Sequence, residues 1–542
     1  MALAVLAWRI TTLSDVDPRS DHAYFSVWLE DVMQAPRLLP RVEATESWSE
    51  ALALDRSSAA SQLLRRIYNE PFRLYNLGTF ATYYGAARAL GTDFRDLVRI
   101  SIVASVAIAL LLTAVAGSLG ALDPSADRRT YPWTAALTAA LALSSFYLHL
   151  FSAQGWHNVA LAWMLAHLLA SLRIAGLLLR GDAPSRTAWA LGLLTLAPML
   201  YSYYVLPWLV IPAIFAQLAV AWPRSRRAML SYAGACALLA ALSVPVLLVV
   251  PEQAAENISQ SQFTWSSLGN RAWGWFAESS ALISGPGLIG ALLGVVALVD
   301  RGIVFPLVVV FGHFALWATS NAVGTVASYR SILYLLPYLL LGLAYLTVWA
   351  VVGALSIRDR RRKLLSIAAI LICIGSYSLR QAVALASPKG ACRWIPSYCQ
   401  QYVEGMSLRA IIAGIDRQLP PGAPLAPGTY ALQYIYRVLT HRTDVAILPP
   451  INQIISNYEK GDVETYAKER GVGEMRSDVL WILVRQDEGD EQQRKVGEVF
   501  GPSGLGLFDA VLEPETVEVW DTEIPNIGIL TLAALRQPVK LR

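Results

Sequence analysis

The chain has 542 residues, of which 55% are hydrophobic and 15% charged, with a mean hydropathy of +0.44. Soluble domains carry about 25% charged residues, so most of this chain is built for lipid and a wholly soluble fold is excluded. The formal net charge of +4 is too small to argue for a nucleic-acid partner.

Met1 to Ile10 is apolar but would reach only about 15 Å as a helix, which suits a first span that sits shallow or begins further upstream. A signal h-region is the alternative reading, and Arg9 at its far end argues against it. Asp21 to Val32 follows with apolar residues at helical spacing. Tyr24, Trp28 and Val32 share one stripe, which predicts an amphipathic helix lying in the membrane interface. Pro71 to Leu90 carries Tyr75, Tyr83 and Tyr84, a composition suited to the headgroup level.

Stretches without Asp, Glu, Lys or Arg mark the spans, because charge at the bilayer centre is costly. They predict helices at about 100–120, 132–152, 156–172, 187–203, 205–222, 229–250, 284–299, 303–320, 331–354 and 364–379. With the N-terminal one the count is about eleven. Tyr131 to Leu172 is too long for one crossing and must bend, most naturally at Gln154-Gly155-Trp156-His157-Asn158. Thr187 to Trp222 must bend near Tyr201 to Tyr204 and Pro207.

The connecting loops fall into two sets. One holds Arg128, Arg129, Arg173, Arg180, Arg186, Arg224, Arg226, Arg227, Arg301, Arg358, Arg360, Arg361, Arg362 and Lys363. The short loops of the other set offer only Arg271 and Arg330, with Arg380 just past the last span. The positive-inside rule makes the first set cytoplasmic. Residues 12–99, the turn around His157, the loop 252–283, the 321–330 turn and everything after about 380 are then external. The loop 252–283 mixes polar residues with Phe263, Trp265, Trp273, Trp275 and Phe276. It suits either a cover over a lipid substrate or an interfacial re-entrant segment.

Cys236 and Cys373 fall in apolar runs and read as small core residues. Cys392 and Cys399 have the wrong spacing for a CxxC pair, and a local disulfide is expected there. That would put the C-terminal region in an oxidising compartment, on the side the arginines also assign to it. From residue 385 charges return, and a soluble α/β domain over 385–542 is expected. Val479 to Val484 and Thr516 to Trp520 read as strands, and Ser407 to Leu419 as helix. The sequence shows no internal repeat, P-loop, GxGxxG motif or metal-ligand spacing.

Chemistry is expected where the external loops meet the helix ends. Asp21 opens the interfacial helix, where a helix N-terminus favours an anion; with Ser20 it could equally serve as the cap. His157 lies in an external bend that needs hydrogen-bonding residues in any case. Arg330 is the sole basic residue between two uncharged stretches, and can either bind a phosphate bidentately or anchor at the headgroups. His149, His167 and His313 are expected to face apolar neighbours as helix-packing residues.

Several of these segments, in this order, resemble the GT-C glycosyltransferases that use polyprenyl-phosphate sugars, including protein O-mannosyltransferase-like enzymes and aminoarabinose transferases. Ser20-Asp21-His22-Ala23-Tyr24 is similar to the acidic motif opening the family's first external loop. Asn69-Glu70-Pro71-Phe72-Arg73-Leu74-Tyr75 resembles its Pro-aromatic stretch, and Gly91 to Arg99 the segment before the second span. Ser328 to Pro337 resembles the RY…LP start of a late span, with Tyr329 here preceding Arg330. The likeness covers roughly the first 385 residues.

The resemblance implies an inverting enzyme in a bacterial inner membrane, with Asp21 as general base and Arg330 meeting the phosphate. Tyr329, His157, His22, Glu70 and Arg271 complete the implied substrate-binding set. The donor would be a polyprenyl-phosphate sugar, and the acceptor a glycolipid, polysaccharide or protein. Other partners would be membrane lipids, with no nucleic acid. His22 stands where the family often has a second acid, and Gln154, His157 and Asn158 where some members carry another, so a bound divalent metal is not implied. The oligosaccharyltransferase WWD signature is absent. A lipid-linked-sugar transporter or flippase, and a non-catalytic scaffold, are the rival readings; the first would call for repeats or midplane charges.

Overall fold

The computed structural model describes residues 2–13, 26, 29, 77–123, 130–203, 205–222, 224–247, 265–319, 329–356 and 359–386. Beyond these it describes 412–414, 416–417, 419–427, 430–440, 442, 445–447, 476–485, 514–520 and 530–540. Asp21, His22, Glu70, Cys392 and Cys399 lie outside the described residues, as do the stripe residues Tyr24, Trp28 and Val32.

Helices occupy the uncharged runs. They are α1 (Ala2–Leu13), α2 (Leu77–Leu90), α3 (Phe94–Ser118), α4 (Thr130–Leu143), α5 (Phe146–Gln154), α6 (His157–Arg180), α7 (Arg186–Leu200) and α8 (Leu206–Val220). α9 (Arg226–Leu247), α10 (Trp265–Ile283), α11 (Gly285–Val299), α12 (Phe305–Thr319), α13 (Tyr329–Ile332), α14 (Leu336–Ser356) and α15 (Arg360–Ala386) follow. Among the described residues, four continuous stretches have the length and hydropathy to cross a membrane: Arg95–Ala121, His157–Arg180, Leu336–Ala354 and Lys363–Ala386. The bent pairs α4–α5 (49°) and α10–α11 (100°) bring the number to six. The 15-residue helices α7, α8 and α12 fall short of the roughly 20 residues a straight crossing needs.

Breaks within apolar runs explain much of that shortness. The break expected near Tyr201–Tyr204 separates α7 from α8, and Pro207 sits in the first turn of α8. The span expected at 132–152 is not one helix but two, interrupted at Ser144–Ser145. Buried backbone groups freed by a break need partners, and two distant side chains supply them. Arg9 Nη2 donates to Leu143 O (3.1 Å) and Ser145 O (3.3 Å), while Gln381 Oε1 accepts from Phe146 N (2.8 Å). Arg9 Nη1 also donates to Ser105 Oγ at 2.5 Å, and the residue is 1% exposed.

Elsewhere the helices pack on small residues. A Cβ built on Gly294 of α11 would fall 1.8 Å from Gly342 O of α14, and one on Gly342 would fall 2.3 Å from Ala291 O. A Cβ on Gly290 would meet the Cys373 side chain of α15 at 3.1 Å. Lipid gives helices no hydrophobic reason to associate, so backbone approach through glycine is a principal source of attraction. Cys236 and Cys373 are free and half-buried, as small packing residues.

Towards the C-terminus lies a five-stranded mixed sheet in the order β2-β1-β3-β5-β4. Its strands are β1 (Pro424–Pro427), β2 (Ala446–Ile447), β3 (Arg476–Arg485), β4 (Pro514–Trp520) and β5 (Leu530–Lys540). β1 runs parallel to β2 and β3, whereas β5 is antiparallel to β3 and β4. Residues 412–414 and 416–417 are helical, within the helix expected at Ser407–Leu419. A further helix, α16 (Tyr430–Thr440), places Tyr436 OH 2.6 Å from Asp416 Oδ1, which Arg442 also meets at 3.1 Å. Burial and that donated bond hold the Tyr436 phenol neutral, raising its pKa above the usual tyrosine value.

Candidate functional site

α5 ends at Gly155, Trp156 precedes α6, and His157 is the first residue of that helix. Two groups fix this turn from below. Ser101 Oγ of α3 donates to Gly155 O at 3.1 Å, and Asn158 Nδ2 donates to Leu148 O (3.0 Å) and Ser152 Oγ (3.1 Å). Asn158 is thereby committed to holding α5 against α6. His157 points instead into a ring cluster: Trp156 stacks on it at 4.2 Å, and Tyr203 meets it edge-on at 5.7 Å. Its Nδ1 shares a hydrogen bond of 2.9 Å with Tyr334 OH, and Tyr203 stacks on Tyr334 at 5.0 Å.

Tyr334 belongs to the turn that carries Tyr329 and Arg330 into α14. These two residues form the first half of α13; their side chains are outside the described set. The turn is held from a second direction at Ser331. Trp275 Nε1 of α10 donates to His313 Nδ1 at 3.0 Å, which leaves the imidazole hydrogen on Nε2. That nitrogen lies 3.2 Å from Ser331 Oγ and donates to it. His313 is the helix-packing residue expected, but indole and hydroxyl partners rather than purely apolar neighbours surround it, because three helices converge there. His167 likewise bonds Thr195 Oγ1 (3.1 Å) and Tyr232 OH (2.9 Å), whereas His149 stacks on Trp8 at 4.8 Å.

Arg271 lies on α10, one turn before Trp275, and not in an open loop. Its Nη1 donates to Ala318 O at 3.3 Å, and its own carbonyl accepts from Trp317 Nε1 at 3.1 Å. A cation is favoured at the C-terminal end of α12, where carbonyls lack helical partners. The other end of α10 is tied by Tyr147 OH to Ala281 O (3.0 Å), Gln381 Nε2 to Leu282 O (2.9 Å) and Arg380 to Ser280 O. With its sharp bend at Ser284, α10 is thus held across one end of the bundle. Ser284 has φ 73° and accepts from Gly287 N at 3.1 Å.

Between Leu13 and Leu77 the described residues are Ser26 and Leu29, both buried. Ser26 Oγ donates to Thr92 O at 2.5 Å, just before the Asp93 cap of α3. Five residues separate Asp21 from Ser26, at most about 18 Å of extended chain. The described contacts therefore bring three sequence-predicted segments to one end of the bundle: the one after Asp21, the His157 turn and the Tyr329–Arg330 turn. Glu70 and His22 lie outside the described residues.

Sequence reasoning missed Tyr203, Tyr334, Trp156, Ser331 and Ser101. Trp156 and Tyr203 stand in the two expected bends, and Ser331 and Tyr334 in the segment Ser328 to Pro337, but only the tertiary pairing shows what each side chain does. Arg9 did carry a signal, since an arginine inside an apolar segment is costly and needs a buried partner. Among the described residues no group of three His, Cys, Asp or Glu side chains could hold a metal ion.

Apolar helices of membrane-crossing length, broken spans sealed by buried polar side chains, and a polar-aromatic cluster at one end define a multi-pass helical membrane protein. No family model matches the chain, and no curated protein does. Among solved structures, it is similar to the crystal structure of ArnT from Cupriavidus metallidurans in the apo state, with 12% identity and a TM-score of 0.49 over 98% of this chain and 96% of that one. The same ArnT bound to undecaprenyl phosphate is similar at 11% identity, with the same coverage and TM-score.

Proposed function

We propose that the protein is an inverting glycosyltransferase that moves a sugar from a polyprenyl-phosphate donor to an acceptor at the non-cytoplasmic face of a bacterial inner membrane. The observation that carries this reading is the set of hydrogen bonds Ser26–Thr92, Ser101–Gly155 and His157–Tyr334. These bonds link the stretches around Ser26, Gly155–His157 and Tyr334, which supports a shared site for the segments whose sequences resemble the acidic first loop and the arginine turn of such enzymes. The scarcity of arginine in the short loops of that face supports its non-cytoplasmic placement.

In this mechanism the Asp21 carboxylate takes the proton of an acceptor hydroxyl or amine as that group attacks the anomeric carbon. A general base must lie within hydrogen-bond reach of the proton it removes. The bond to the lipid phosphate breaks on the opposite face of the sugar, inverting the anomeric centre. Arg330 meets the charge growing on the departing phosphate, where a fixed cation outperforms water. His157, through Tyr334, and His313, through Ser331, hold the turn that presents Tyr329 and Arg330. Arg271, Glu70 and His22 lie in segments flanking the donor and acceptor path. Residues 385–542 form a non-cytoplasmic domain, stapled near its start by Cys392–Cys399, that faces the acceptor: a glycolipid, polysaccharide or protein.

The test compares wild type with Asp21→Asn and Arg330→Ala in cells at matched protein levels, by mass spectrometry of envelope glycolipids and glycoproteins. Either substitution is expected to reduce the modified product by 100-fold or more, the scale of losing a catalytic base or a transition-state cation. Unchanged product in both would remove the site assignment, and an unchanged glycan profile on gene deletion would remove the transferase itself. Thiol labelling of Asp21→Cys and Arg330→Cys from the two sides of the membrane checks the shared face. Labelling from opposite sides would refute it.

A further inference from the structure

Between α3, α6 and α7, at the end of the bundle where α6 stops at Arg180, lies a partly open cleft of about 550 Å³. Leu111 of α3, Leu169 and Leu177 of α6 and Leu191 of α7 make its walls mainly apolar. Arg173 and Arg180 line it as well, and both are exposed. Among the described residues neither has an ion-pair or hydrogen-bond partner. At the same end of the molecule Arg301 pairs with the buried Asp123 at 3.7 Å, and Arg224 donates to Leu179 O at 3.4 Å. The two cleft arginines are thus set apart from their neighbours.

Seven residues separate Arg173 from Arg180, so they share a face of α6 about two turns apart, roughly 10 Å along its axis. A cation in the last turn is favoured by the helix C-terminus, which accounts for Arg180 but not for Arg173. Arg173 lies two turns inside, beside the apolar slot. A volume of this size falls within the roughly 300–1,000 Å³ of ligand sites and exceeds a packing defect.

We propose that this cleft binds an anionic phospholipid of the cytoplasmic leaflet, one acyl chain lying in the slot and the phosphodiester bridged by Arg173 and Arg180. The occupant follows from charge and shape together. The slot excludes a polar solute, while two unpaired guanidiniums at its edge select a net negative headgroup over a zwitterionic one that brings its own cation. Arg173 extends its aliphatic stem along the slot and carries its charge towards the headgroup layer. Basic clefts between helices on the cytoplasmic side bind anionic headgroups by this logic. Arg173 is sixteen residues from His157 along α6, about 24 Å, so the lipid lies well away from the proposed transfer site. The leaflet assignment shares the arginine-based orientation used above but none of the catalytic assignments.

The experiment is native mass spectrometry of the purified full chain in micelles supplemented with phosphatidylglycerol or phosphatidylcholine, a readout independent of glycan transfer. Wild type is expected to retain phosphatidylglycerol preferentially. Arg173→Gln with Arg180→Gln should lower that retention by about tenfold, from the loss of two headgroup-facing cations. Leu177→Trp, which fills the slot and leaves both arginines, should lower it comparably. Arg226→Gln with Arg227→Gln, outside the cleft, should leave it unchanged. Melting in phosphatidylcholine verifies that each variant is folded. Retention by the Arg173/Arg180 variant, retention by Leu177→Trp, or an equal loss in the Arg226/Arg227 variant would each overturn the proposal.

Discussion

The α11–α14 seam and the ring cluster at the His157 end solve helix association in opposite ways. In the seam the backbones approach directly: Gly294 and Gly342 meet so closely that a Cβ on either would lie far inside van der Waals contact distance of a carbonyl oxygen. At the cluster, side chains fill the space, and His157, Tyr203, Tyr334 and Trp156 reach across three breaks in the helical ladder. A seam without side chains can only be overfilled. A cluster of rings and single hydrogen bonds can lose one bond and keep its packing. The first is suited to fix the frame, the second to hold the turn that carries Tyr329 and Arg330.

The contrast fails most visibly if the seam tolerates bulk. Gly294→Leu should be the most damaging single change, destabilising by upward of about 3 kcal/mol, because both backbones would have to separate. Loss of the monodisperse peak and a lower melting temperature in detergent would show it. Wild-type melting would mean that the seam is not fixed as described. Next in size is Arg9→Leu, which leaves Leu143 O, Ser145 O and Ser105 without their donor. Buried acceptors stripped of partners cost about 1–3 kcal/mol, so a fall of about 2–3 kcal/mol is expected. Arg9→Lys should recover only part of it, since an ammonium lacks the planar fork. Full recovery by lysine would show that charge alone, not the fork, seals the break.

The helices were legible because lipid excludes charge along a whole span, a constraint written into every residue of the run. Breaks were legible only where the sequence itself turns polar or carries proline, as at Gly155–Asn158 and Pro207. The interruption at Ser144–Ser145 was not, because two serines in an apolar run are compatible with helix. What makes the break tolerable comes from Arg9 and Gln381, far away in sequence. His157 could be picked out as a polar residue in an external bend, but its partner could not: a tyrosine inside an apolar stretch reads as an interfacial anchor. The packing role of His313 was legible but its partners were not, since its neighbours in sequence are apolar while its neighbours in space include Trp275 and Ser331. Pattern along the chain reports the lipid environment of a helix, and reports poorly the polar groups that other helices bring to it.

The smallest effect separates the cluster's two jobs. Tyr334→Phe removes one hydroxyl and keeps the ring that stacks on Tyr203 at 5.0 Å, so the stability loss should be near 1 kcal/mol, the net worth of one hydrogen bond. His157→Phe likewise keeps an aromatic body against Trp156. If the 2.9 Å bond is what couples them, the double variant should be no worse than the poorer single one, a coupling of about 1 kcal/mol in a thermodynamic cycle. Transfer should fall further than stability does, because the turn bearing Tyr329 and Arg330 begins only a few residues before Tyr334. A substrate-positioning error of about 1 Å can cost about 100-fold. Additive stability losses would deny the coupling. Additive losses together with unaltered transfer would reduce the cluster to packing, the same role as the glycine seam played by larger side chains.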